Sequence, residues 1–137
     1  MSWMKSTYQA YYGHTDINAD AVTTGKWKRQ GGVSGRREST GLGVFYSTRQ
    51  LLNDAWTVKK LDIEKGIVGK SFIVQGFGNV GYWASKFFVE AGAKLIGVAE
   101  VGGSVYNPNG IDPDHLKQHL ETNGTIAGYE APQTFED

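Results

Sequence analysis

Ser71-Phe72-Ile73-Val74-Gln75-Gly76-Phe77-Gly78-Asn79-Val80-Gly81-Tyr82-Trp83-Ala84-Ser85-Lys86-Phe87-Phe88 places an apolar run, a glycine-punctuated turn and a second apolar pattern end to end. A bare G-x-G-x-x-G recurs by chance, but between a strand and a helix it has a mechanism. Gly76 permits the tight turn, Gly78 lets the backbone approach a pyrophosphate, and Gly81 allows the helix to pack closely on the strand. The unpaired N–H groups at the helix start then face the anion. After Ala91-Gly92-Ala93, a second apolar run, Lys94 to Ala99, ends at Glu100, 24 positions beyond Gly76. That is where such a βαβ unit places an acid that accepts from the adenosine ribose. The competing reading gives the glycines to packing alone and leaves Glu100 a solvated acid at a strand end.

The remaining chain bounds what else is present. Its 137 residues suit about one domain. Its 19 glycines, about twice the average frequency, favour a loop-rich nucleotide-binding fold over a helical bundle. Fourteen basic and fourteen acidic side chains cancel, so no electrostatic footprint points to nucleic acid or an anionic membrane. The absence of cysteine excludes disulfides, a thiolate nucleophile and thiolate metal ligands. Met1-Ser2-Trp3-Met4-Lys5-Ser6 lacks the basic and apolar regions of a secretory signal, and no apolar stretch approaches the roughly 20 residues of a membrane span, so the chain reads as soluble.

Trp3, Met4, Tyr8, Tyr11 and Tyr12 fall at helical spacing before Gly13, predicting an amphipathic helix whose aromatic stripe is a packing face in need of a partner. Residues 14–35 lack periodicity and read as an irregular connection. Val44, Phe45, Leu51, Leu52 and Ala55 predict one substantial helix from about Arg36 to Trp56. Lys59 to Gly69 reads as a turn into the fingerprint strand. Asn107-Pro108-Asn109-Gly110 turns the chain, leaving Val105-Tyr106 a short extended piece. Asp112-Pro113-Asp114 predicts a helix start and Asn123-Gly124 its stop. Thr125 to Asp137 carries no strong signal. The pattern thus predicts an α/β chain holding part of a dinucleotide-binding domain: parallel strands with flanking helices, the second half of a sheet of about six strands missing.

Other chemistry finds little support. His115 and His119 share a helix face without an evident third ligand, so no metal site is expected. His14 beside Asp16 lies in a polar irregular stretch and reads as an exposed turn residue. The sequence around Ser34 and Ser104 lacks the G-x-S-x-G form.

Four motifs in order carry a resemblance: Asn18-Ala19-Asp20-Ala21-Val22-Thr23-Thr24-Gly25-Lys26, Gln30-Gly31-Gly32-Val33-Ser34-Gly35-Arg36, Ser39-Thr40-Gly41, and Gln75 through Gly81, continuing through Gly103-Ser104 and Asn107 to Pro113. The chain resembles the glutamate dehydrogenases of the long, mitochondrial type over nearly its whole length. That resemblance implies a Rossmann-type fold, with residues 1–35 the connecting helix and loop from a substrate domain and 36–137 the N-terminal half of an NAD(P)-binding domain. It implies oxidative deamination of L-glutamate to 2-oxoglutarate and ammonia, NAD with NADP as an alternative, a hexamer, and a mitochondrial matrix location.

Residue by residue, the resemblance makes Arg36 a substrate contact and Thr40 a contact to the nicotinamide amide. It assigns Gly76, Phe77, Gly78, Asn79, Val80 and Gly81 to the pyrophosphate loop and Glu100 to the ribose. A guanidinium suits a dicarboxylate, although Arg36 beside Arg37 and Glu38 also reads as a surface ion-pair member, and Thr40 as a helix cap. A carboxylate at position 100 repels a 2′-phosphate, which favours NAD. The resemblance places the catalytic lysine and aspartate before Met1, so no catalytic residue is assigned and the isolated chain is expected to be inactive. The chain departs from the family pattern at Trp27-Lys28-Arg29 and at Gly102. Other readings are a different amino-acid dehydrogenase and a non-catalytic nucleotide-binding or interaction fragment.

Overall fold

The computed structural model describes residues 1–130 and the strand backbone at 133–135. The chain divides into two compact units, residues 1–36 and 37–137. The first holds helix α1 (Ser2–Tyr12) and two short 3-10 turns at Ala19–Ala21 and Lys28–Gln30. Its fixed point is a buried lysine. Lys5 on α1 pairs with Asp20 at 2.6 Å and donates to the Gln30 carbonyl at 2.6 Å, tying both turns to the helix. The predicted aromatic stripe forms on this helix, but within the unit Trp3, Met4, Tyr11 and Tyr12 remain exposed.

The second unit is a mixed four-stranded sheet with helices. Its elements are α2 (Ser39–Asn53), α3 (Ala55–Leu61), β1 (Ser71–Gln75), α4 (Asn79–Glu90), β2 (Lys94–Glu100), β3 (Gly103–Tyr106), α5 (Pro113–Asn123) and β4 (Gln133–Phe135), in sheet order β1-β2-β3-β4. The β1 and β2 strands run parallel through the α4 connection, whereas β3 and β4 are each antiparallel to the preceding strand. The short extended piece expected at Val105-Tyr106 is therefore a true strand, hydrogen-bonded to β2.

One expectation is corrected. The single helix predicted from Arg36 to Trp56 is two, because Asp54 turns to an extended conformation and caps α3, its carboxylate accepting from the Thr57 N–H at 2.8 Å. Apolar spacing continues across the break, so periodicity alone hides it. The α5 boundaries follow their punctuation: the Asp112 carboxylate accepts from the Asp114 and His115 N–H groups, and Gly124 ends the helix in the left-handed region. In the tail, which carries no strong sequence signal, β4 forms; residues 131, 132, 136 and 137 lie outside the described residues.

Two apolar clusters hold the unit. Phe77, Leu95, Val98, Val105, Ile111, Leu116, Ile126 and Tyr129 form one, and Phe45, Ile67 and Ala93 anchor the other, packed by Phe72, Phe87 and Phe88. Fully buried side chains such as Leu95, Leu116 and Ile126 each contribute roughly 1.5–3 kcal/mol. Phe77 therefore has a second job: its ring anchors the glycine turn in the core while its backbone shapes the loop. The β1 strand lies at the sheet edge, and Ile73 on it is 72% exposed.

Candidate functional site

The glycine loop leaves β1 at its carboxyl end. Gly76 sits at φ 84°, a left-handed conformation that a side chain would strain, and its N–H donates to the Ala99 carbonyl at 2.8 Å. The chain then turns through Phe77 into Gly78, which caps α4. Gly81 shows why a glycine is needed one turn later, since a Cβ there would lie 2.0 Å from the Gly76 carbonyl oxygen. At Gly78 the situation is reversed: a Cβ would meet nothing within 4 Å. Gly81 closes the packing, whereas Gly78 leaves open space in front of a helix start. The first α4 N–H groups have no intrahelical acceptor, and Tyr82 is the first to find one, the Gly78 carbonyl at 3.0 Å.

Glu100 meets this loop. Its Oε1 accepts from the Phe77 N–H and its Oε2 from the Val101 N–H at 3.0 Å. The acid 24 positions downstream is therefore aimed at the glycine turn. A recess of about 300 Å³ opens between the strand ends, lined by Gln75, Gly76, Ala99, Glu100 and Val101. A larger cleft of about 730 Å³ runs along the other side of the loop, lined by Gly76 and residues 78–81 together with Val44 and Thr48 of α2 and β1 residues 72–75. The recess lies at the carboxyl ends of the parallel strands, where open α/β sheets take their ligands, and the cleft runs from the loop back along β1. An open anion-facing turn with a carboxylate beside it fits the phosphates and ribose of a dinucleotide.

Asn79, the first residue of α4, sends its side-chain amide to the Arg37 carbonyl at 2.5 Å rather than into the loop. That bond brings the turn before α2 onto the fingerprint helix, and with it Thr40, which lies inside the first turn of α2 instead of capping it. The two helices cross closely at Gly41, where a Cβ would stand 2.6 Å from the Ala84 nitrogen. Val80 is partly exposed beside the cleft. The close approach at Gly41 has a single local signal in the sequence, a glycine inside an apolar helical pattern.

In the first unit, Arg36 and Lys26 line one cleft of about 230 Å³ with Thr23, Thr24, Gly31 and Gly32. The Lys26 ammonium donates to the Asp20 carbonyl. His115 and His119 have protein partners, the Tyr129 hydroxyl at 3.2 Å and the Ala127 carbonyl at 3.1 Å.

A polar cluster that the sequence reading did not single out joins α4 to α5. Asp114 accepts from the Tyr82 hydroxyl at 2.5 Å and pairs with the Lys86 ammonium at 2.8 Å. The Lys86 hydrogen bond, followed by that from Tyr82, holds the Asp114 carboxyl below its usual range, and the same contacts raise Lys86 and Tyr82.

Residues 31–137 match the model of the glutamate/leucine/phenylalanine/valine dehydrogenase family. The chain belongs to this dehydrogenase family. A mitochondrial glutamate dehydrogenase of Dictyostelium discoideum is 47% identical over 129 residues, which cover 94% of this chain and 26% of the relative. Among solved structures, the glutamate dehydrogenase of Peptoniphilus asaccharolyticus is similar with a TM-score of 0.72 and 32% identity, covering 90% of this chain and 30% of its own. The hetero-hexameric glutamate dehydrogenase of Thermus thermophilus, in a Leu bound form, gives a TM-score of 0.67 at 28% identity, covering 95% and 29%. This family member thus spans less than a third of the length of those relatives. Among its described residues, no helix is long and apolar enough to cross a membrane.

Proposed function

We propose that this chain is the cofactor-holding portion of a glutamate dehydrogenase, an oxidoreductase that deaminates L-glutamate to 2-oxoglutarate with a nicotinamide dinucleotide. Residues 1–35 would be the connection from the substrate domain and 36–137 the first half of the cofactor domain. The observation that carries the reading is the meeting of the Glu100 carboxylate with the Phe77 N–H beside an open Gly78.

In this reading, the first N–H groups of α4 hold the pyrophosphate, with Gly76 and Gly81 setting the loop and Phe77 anchoring it. Glu100 accepts from the adenosine ribose hydroxyls, and its negative charge favours NAD over a 2′-phosphorylated cofactor. Thr40 orients the carboxamide of the nicotinamide, the group that supplies hydride chemistry when the dinucleotide is bound. Arg36 pairs with a substrate carboxylate. Its rigid fork suits that task, and Lys26 at the same cleft adds a second cation. By likeness to the hetero-hexameric Thermus enzyme, the parent protein is a hexamer, and the Dictyostelium relative supports a mitochondrial location, for which the matrix is our proposal.

Calorimetric titration of the chain with NAD and NADP tests the reading. Saturable heat with NAD, weaker with NADP, is the expected result. No heat at millimolar NAD would leave only the reading as a non-catalytic interaction fragment, which the exposed aromatic stripe of α1 would then favour.

A further inference from the structure

The phosphate loop belongs to α4 and Thr40 to α2, so a dinucleotide held by both needs the two helix starts at a fixed separation. Two contacts fix it. The Asn79 side-chain amide donates to the Arg37 carbonyl at 2.5 Å, just ahead of α2. One turn later, Gly41 lets the α2 backbone approach Trp83 and Ala84, with an added Cβ only 2.6 Å from the Trp83 Cβ. Thr40 lies between these points. One N–H of the Asn79 amide is committed to protein, and that bond fixes the side chain's direction toward Arg37.

We propose that Asn79 is a positioning residue: its side chain latches the turn at Arg37–Thr40 to the phosphate loop, and so sets where Thr40 meets the nicotinamide end of the cofactor. Gly41 supplies the packing that makes the latch rigid, and Asn79 supplies the direction. This rests on the Thr40 assignment proposed above.

The consequence separates the two ends of the cofactor. ADP-ribose needs the loop and Glu100 only, whereas NAD also needs Thr40. In calorimetric titrations of the full 137-residue chain, wild type should bind NAD more tightly than ADP-ribose. Asn79→Ala should weaken NAD by about three- to tenfold, the range for losing one ordinary hydrogen bond, while ADP-ribose stays within about twofold. Thr40→Ala should remove the same increment, and the double variant should lose no more. If Asn79→Ala does not fold, Asn79→Ser replaces it, since its hydroxyl is too short to reach the Arg37 carbonyl. Parallel losses of NAD and ADP-ribose, or no loss of either, would overturn the latch. Equal wild-type affinity for the two ligands would instead overturn the Thr40 assignment, and binding of neither would overturn the cofactor reading itself.

Discussion

The Glu100 carboxylate takes the Phe77 N–H as a hydrogen bond, so the end of β2 is joined to the middle of the glycine loop on β1. In the proposed role of Glu100 as the ribose acid, this bond would couple sugar recognition to phosphate recognition, and the coupling would have a measurable signature. Glu100→Gln keeps an acceptor for Phe77 but removes the charge. The loop should hold its shape while discrimination against the 2′-phosphate falls. We expect NAD affinity to drop about tenfold, as for the loss of a charged hydrogen bond, and the NAD-to-NADP affinity ratio to narrow. Parallel titrations with both cofactors measure it; an unchanged ratio would remove Glu100 from cofactor choice.

Gly78, which caps α4, and Gly81, inside its first turn, should respond in opposite ways. Gly81→Ala drives a methyl into the Gly76 carbonyl, an overpacking that costs about 1–3 kcal/mol and should lower the melting temperature. Gly78→Ala meets open space at φ −71° and should leave stability within about 0.5 kcal/mol of wild type, yet fill the room needed by phosphates. Thermal melts paired with NAD titration distinguish the two. Equal melting points would mean that Gly81 does not pack as described.

Acid should loosen α5 from α4. Because Lys86, then Tyr82, lower the folded pKa of Asp114, its stabilisation is fully present above the ordinary carboxylate value of about 3.9 and is lost as pH falls through the lower folded value. Asp114→Asn should flatten the part of a melting-temperature profile that lies below the ordinary carboxylate value while leaving the rest of the acid limb in place. Identical profiles would show that the cluster contributes nothing.

Removing the α5 cap should cost less than disturbing the core. Asp112→Ala strips the acceptor of two N–H groups and should destabilise by about 1 kcal/mol, read from urea melts with unchanged slope.

The parts legible in the sequence were those whose residues signal their own conformation. Gly76 reports a left-handed turn, Asp112-Pro113 a helix start and Gly124 a helix end, each through local sterics or capping. The break at Asp54 was legible in principle, as Asn53-Asp54 is a capping signal, but apolar spacing running on through Ala55 masked it. The four residues of β3 and the three of β4 gain their structure from pairing with a neighbour, which no local pattern encodes. Lys5 was invisible for a related reason: its burial depends on Asp20 and the Gln30 carbonyl, far along the chain. The Asn79 bond to Arg37 likewise spans two elements. Motif reading places Asn79 in the loop without revealing where its side chain goes.

The position of β1 at the rim of the sheet bears on handling. Its residues, Ser71-Phe72-Ile73-Val74-Gln75, include neither a charge nor a proline, the usual guards of such a border. Extended segments of neighbouring molecules therefore find a ready template there, so purified material should self-associate as it is concentrated, and a lysine in place of Ile73 should keep it monodisperse.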